Sequence, residues 1–334
     1  MDTQSQAAPV ITTAPPGNFI PLALVAGLFF ILGFVTWLNG SLMPYLEEVL
    51  TLTPLHASLI LFAFYVSSTL VAIPSVSLIA RVGYKNSMAL GLVGMAVAAL
   101  TFIPAAMAQT FALFLLAQFL MGASLTLLQT AVNPYVVKIG PEESAAVRIS
   151  VMGMLNKSAG IVAPLMFAAL IATGMSHSGA VPTEEEKTAM SDSLILPYLG
   201  MALCILLVAL VVKLSSLPEL NLDAEDSSEV RDSGFHFKAS LAQLKITFNQ
   251  AKYYKDFMWF LACGVCYQGG VAVAITLAAI YAEQVIGFKP QETMVLIFVL
   301  NIAAAVGAFG FGYFQDKVGH KIALGITLVG WIAT

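Results

Sequence analysis

The chain has 334 residues, 59% of them apolar and 10% charged. A soluble domain has about a quarter of its residues charged, so the composition excludes an ordinary water-soluble fold. A net charge of −4 leaves no basic surface for nucleic acid. The three cysteines all lie in apolar runs; Cys263 and Cys266 form a C-x-x-C without a second ligand pair, which reads as helix packing rather than a metal or redox site.

Residues 1–18 are polar, proline-bearing and free of Lys and Arg. They lack the basic start of a cleaved signal peptide and predict a disordered cytoplasmic tail. Apolar runs of membrane-spanning length then follow at roughly 19–46, 55–80, 86–108, 110–137, 148–173, 193–214, 257–284 and 291–315. A ninth begins near residue 322 and is still apolar at Thr334. It rises about 20 Å, short of a hydrocarbon core of about 30 Å. The chain therefore reads as a piece of a longer protein, truncated in helix 9. The expected organisation is a six-helix N-terminal bundle over 19–214, a cytoplasmic linker over 215–256 and a partial C-terminal bundle over 257–334 with helices 7, 8 and part of 9.

Lys and Arg set the expected orientation. Arg81, Lys85, Lys138, Arg148, Lys213, Lys317 and Lys321 mark alternate turns, and the linker adds five more basic residues. The opposite turns hold only Lys187 and Lys289. The positive-inside rule then places the N-terminus in the cytoplasm of a multi-pass inner-membrane protein. The outer segment 174–192, with Glu184, Glu185 and Glu186, reads as a solvated loop. The second half of the linker, 238–252, has the pattern of an amphipathic surface helix.

An internal echo supports two halves. "ARVGYKNSMALGLVGM" (80–95) resembles "DKVGHKIALGITLVGW" (316–331), sharing Val82/Val318, Gly83/Gly319 and Lys85/Lys321. Parallel repeats of this kind build many transporters.

Polar side chains inside spans mark the candidate site, because lipid makes them expensive. Span 1 carries Trp37, Asn39 and Gly40, with Pro44 beyond; glycine and proline would let that helix bend or unwind beside a cavity. Packing between helices would use Asn39 and Gly40 equally well. Span 4 has Gln129 and Asn133 on one stripe, beside Thr130 and Pro134. Span 5 has Asn156, on a stripe with Gly153 and Gly160, and Lys157 near mid-bilayer. An intramembrane lysine is a functional candidate, as a titrating coupling group or as a fixed cation near an ion or substrate; snorkelling or a structural pair is the alternative. Span 7 adds Tyr267 and Gln268 before two glycines, and Asn301 in span 8 reads as helix-to-helix glue. Amides that donate and accept, with an aromatic surface, suit a monosaccharide. Metalloprotease, P-loop and nucleophile-elbow motifs are missing, so no enzyme is expected and no cofactor is assigned.

The turn "GYFQDKVGHK" (312–321) is similar to the cytoplasmic signature of the major facilitator superfamily, although its first-half copy has Ala80 where the acid would stand. "FVTWLNGSLMPYLEE" (34–48), "LLQTAVNPYVVKIGPEESAAVRIS" (127–150) and "GMLNKSAGIVAPL" (153–165) resemble the sugar-symporter branch that includes bacterial L-fucose and glucose/galactose transporters, the latter type most. The resemblance implies an all-α membrane protein of major facilitator fold, with twelve helices in two bundles when intact. It implies alternating access and monosaccharide uptake of the glucose/galactose type by cation symport, in a monomer. It places functional acids of fucose-type members at Gln129 and Gly40, where none stands here, and glutamine and glycine do not titrate. The coupling ion is left as Na⁺ or H⁺; a uniporter, or a sugar sensor on a transporter fold, is the alternative.

Overall fold

The computed structural model describes residues 19–49, 52–171, 184–215, 217, 219, 246, 249, 253–287 and 290–333. The expected tail over 1–18 and nearly all of the linker, with its amphipathic helix, lie outside these residues. The described chain folds into α1 (Phe19–Val49), α2 (Pro54–Val82), α3 (Tyr84–Met107), α4 (Phe111–Lys138), α5 (Ala145–Ile171), α6 (Glu184–Leu214), α7 (Lys255–Tyr281), α8 (Pro290–Val318) and α9 (His320–Ala333). A 3₁₀ turn at Glu142–Ser144 precedes α5, and a π-helical turn at Ala282–Ile286 follows α7. Among the described residues six helices, α1 to α6, are long and apolar enough to cross a membrane; α9 is a shorter apolar helix.

Two boundaries differ from the sequence reading. The glutamate run expected in a loop forms the first turn of α6, which starts at Glu184. Acids are favoured there because they face the positive end of the helix dipole. Likewise, α1 continues through Gly40 and Pro44 to Val49 without unwinding.

Lipid supplies little hydrophobic drive between helices, so packing rests on close approach and polar contacts. Small residues provide both around α4, which lies between α2 and α3. A Cβ on Gly91 of α3 would stand 2.9 Å from Leu128 of α4. Ser68 of α2 donates to the Gly122 carbonyl at 3.2 Å. Farther along, α3 packs on α6, where Phe102 stacks on Tyr198 with centroids 4.6 Å apart. The fifth helix, α5, lies between α1 and α8 and joins the two halves.

The sequence echo has a backbone counterpart. Gly83 and Gly319 take φ of +84° and +88°, and a new helix begins at the next residue in each case. A side chain strains that conformation, so each one-residue turn requires glycine. The first-half turn is braced by the chain leaving α6. Lys85 donates to the Ser215 carbonyl at 2.6 Å, Lys213 bonds Asn86, Leu217 is 5% exposed, and the Glu219 carboxylate lies against Gly83.

Candidate functional site

The seam between α1 and α5 positions three of the expected site residues. It is tight because glycines face backbone or rings across it. A Cβ on Gly33 would overlap the Asn156 carbonyl, and one on Gly160 would come within 2.8 Å of the Trp37 indole. Asn156 donates from Nδ2 to the Phe29 carbonyl at 3.2 Å, tying the helices together. Four residues up α5 from Asn156, Gly160 receives Trp37, and the Lys157 Nζ sits 5.2 Å from the centre of that indole. This is within cation–π range. Lys157 is half-buried, about 18 Å along α5 from Ala145.

Gln129 and Asn133 stand on a different helix, α4. Their stripe of α4 points away from the buried stripe formed by Leu125, Leu128, Val132 and Val136, and both side chains are exposed. Neither makes a hydrogen bond within the described chain. Prolines add acceptors to both helices. Pro134 in α4 and Pro164 in α5 lack the N–H that would bond the carbonyls of Thr130 and Gly160. Each helix therefore presents an under-used carbonyl beside a candidate side chain, available to a hydroxyl or a cation.

Other expected residues stand apart. On α7, which packs chiefly against α8 and its own π turn, Tyr267 is half-buried and Gln268 exposed. The Asn39 side chain lies outside the described residues. Asn301 is 5% exposed on α8, in keeping with its expected role between helices. Cys204, Cys263 and Cys266 are free and exposed. Among the described residues no group of three His, Cys, Asp or Glu could hold a metal. A crevice of about 520 Å³ between α1 and α6 is lined by apolar side chains such as Phe30, Phe34 and Leu38, and offers a sugar almost no hydrogen bonds.

Sequence reasoning passed over a clasp at the basic end of the bundle. Arg148, read there only as a span-end marker, is 9% exposed. Its guanidinium donates to the carbonyls of Val136 (3.0 Å), Val137 (2.9 Å), Gly140 (3.3 Å) and Pro141 (2.7 Å) and to Ser144 Oγ (2.8 Å). The carbonyls of Val136 and Val137 are orphans at the end of α4; those of Gly140 and Pro141 lie in the turn after it, where Pro141 also accepts the Ser144 N–H at 3.3 Å. Asp316, from the end of α8, accepts the N–H groups of Ala146 (3.2 Å) and Val147 (2.9 Å). Its carboxylate thus caps α5 across the two halves. Gly312 allows this approach, since a side chain there would strike Ser150. The signal was present in the Asp-Lys-Val-Gly motif, but its partner is 170 residues away.

Comparison with known proteins settles the family. The profile of the Major Facilitator Superfamily matches residues 25–334. The chain belongs to this superfamily. The "Glucose/galactose transporter" of Brucella abortus biovar 1 (strain 9-941) is 34% identical over 205 residues, which is 61% of this chain and 48% of that protein. The "L-fucose-proton symporter" of Escherichia coli (strain K12) is 31% identical over 296 residues, covering 84% of this chain and 65% of that one. The chain thus spans about half to two thirds of the length of these relatives. Among solved structures, a major facilitator transporter named FucP, in the outward conformation, superposes with a TM-score of 0.72 at 28% identity, over 90% of this chain and 72% of that one. The expected all-α major facilitator fold is therefore correct, and the relatives are named transporters and symporters rather than enzymes.

Proposed function

We propose that the intact protein takes up a monosaccharide of the glucose/galactose type across the bacterial inner membrane, together with a cation and as a monomer. One observation carries this reading: unpaired amides on α4, and a lysine–tryptophan pair between α1 and α5, stand inside apolar spans of a major facilitator chain. Trp37, Gln129 and Asn133 form the sugar contacts, joined by Asn39 and, from the second half, by Tyr267 and Gln268. Asn156 holds the α1–α5 seam and orients Trp37 toward the path. The basic turns and the N-terminus face the cytoplasm. The clasp of Asp316 on α5 closes that end while the other is open, and its release lets the halves rock.

Proton coupling is supported by the relatives named proton symporters. Lys157 is the coupling group, the one Lys, Arg, Asp or Glu that stands away from the ends of the six described apolar spans. Sodium is the second reading. It is favoured by the two missing acids and by the under-used carbonyls of Thr130 and Gly160, oxygens of the kind sodium takes. The test is uptake of labelled sugars into proteoliposomes holding the intact protein, with sodium and proton gradients imposed separately. Accumulation driven by one gradient identifies the ion. Equilibration without accumulation under either gradient rejects symport and leaves a uniporter; no entry at all rejects transport.

A further inference from the structure

We infer that Lys157 receives a single carboxylate, so that the substrate is a sugar acid, a monosaccharide bearing one carboxylate, rather than a neutral hexose. This rests on the transport reading above but departs from its neutral hexose, assigning to that same site the acid counterpart of such a sugar.

Charge isolates Lys157. From Ile149 to Ile171 it is the only charged residue of α5. Facing helices add none: α1 has no charged residue from Phe19 to Leu46, α4 none before Lys138, α6 none from Ser193 to Val212, and α8 none from Thr293 to Gln315. The nearest charge on its own helix, Arg148, is about 14 Å away along the axis and is consumed by five hydrogen bonds. Among the described residues Lys157 makes no hydrogen bond or ion pair; its ammonium meets only the Trp37 face. An indole face attracts a cation but accepts no hydrogen bond in the way an oxygen does, so three N–H donors stay open.

An unpaired cation at this depth is costly, and an anion beside it offsets the cost. One ammonium matches one carboxylate; a phosphate dianion would leave charge uncompensated. The remaining recognition suits a sugar ring. Gln129 and Asn133 lie about 14 Å and 8 Å from the basic end of α4, with donors and acceptors free for hydroxyls.

Coupling follows from the same pair. With the acid bound, ammonium and carboxylate neutralise one another and the loaded carrier moves without net charge at the site. When the acid leaves, the lone ammonium gives its proton to water on the same side. Each turn thus carries one proton and one sugar anion together, and each ligand strengthens the binding of the other.

The test uses the intact protein in detergent and in proteoliposomes. Matched pairs are D-glucose with D-glucuronate and D-galactose with D-galacturonate, read by calorimetric binding and by labelled uptake. The acids are expected to bind at least about ten-fold tighter than their neutral partners. Lys157→Met is expected to bring that ratio toward one, and Lys157→Arg to keep most of it. Tighter binding of the neutral sugars, or a ratio that Lys157→Met leaves unchanged, overturns the inference while transport stands. Failure to bind or carry any of the four rejects the transport reading itself. The wild-type comparison carries the test if the methionine variant does not assemble.

Discussion

Replacing Arg148 by alanine tests how strongly α4 and α5 are joined at their shared end. The guanidinium is buried and makes five hydrogen bonds, four of them to carbonyls, of which those of Val136 and Val137 are left unfilled by the helix itself. A hydrogen bond to a charged group contributes about 1.5–3 kcal/mol. The five do not add, because Gly140 and Pro141 are partly open and regain water once the side chain is gone. A net loss of about 3–5 kcal/mol is therefore expected, the range for breaking a buried charged network. At about 2 °C per kcal/mol for a chain of this size, the apparent Tm in detergent falls by roughly 6–10 °C. Arg148→Lys keeps the charge but not the planar fork, so it recovers less than half of the loss. Ser144→Ala removes one bond of the five and costs about 1 kcal/mol. Thermal-shift measurement of the three variants side by side decides the matter. A fall under about 2 °C for Arg148→Ala, or a lysine variant as stable as the parent, would show that the carbonyls are satisfied in some other way.

Asp316→Asn removes the charge that caps α5 and is expected to shift the balance toward opening at the basic end by about 1–2 kcal/mol, or 5–30-fold. Pulsed EPR distances between labels on α5 and α8 report it, and an unchanged distribution would separate Asp316 from closure. Gly33→Ala forces a methyl against the Asn156 backbone, with an expected loss of about 1–3 kcal/mol; unaltered stability would mean the seam yields freely. Asn156→Ala is milder, about 1 kcal/mol, for one lost bond. Gln129→Ala touches an exposed side chain without partners, so the Tm holds within about 1 °C while sugar affinity drops about ten-fold; a variant that binds as the parent does removes Gln129 from the site.

The spans were readable because lipid demands long apolar runs, and the halves because Val82-Gly83 and Val318-Gly319 sit at equivalent turns. Chain-local chemistry of this kind needs no tertiary information. The early start of α6 was hidden, since a glutamate run is as typical of a loop as of a helix N-terminus. Gly40 and Pro44 suggested a break in α1, yet the helix runs on. For the candidate site, polarity in an apolar context marked Gln129, Asn133 and Lys157 as proposals. Their surroundings were not readable: the meeting of Lys157 with Trp37 depends on how closely Gly33 and Gly160 let two helices approach. Arg148 and Asp316 were ordinary end-of-helix charges in sequence. Their importance comes from carbonyls and amides contributed by other helices.

The two glycine turns of the repeat obtain their carboxylates differently. At Gly319 the acid is Asp316, on the helix just before the turn, and it reaches over to the other half. At Gly83 the corresponding position is Ala80, and the acid at the turn is Glu219, from the chain leaving α6. In the proposed cycle Asp316 acts as a bolt, drawn whenever the halves part at this end. Glu219 belongs to the half it braces and rides with it as a fixed strut. Two copies of one turn, alike in backbone but not in sequence, would in that cycle serve as one moving fastening and one permanent one, and the halves as unequal levers.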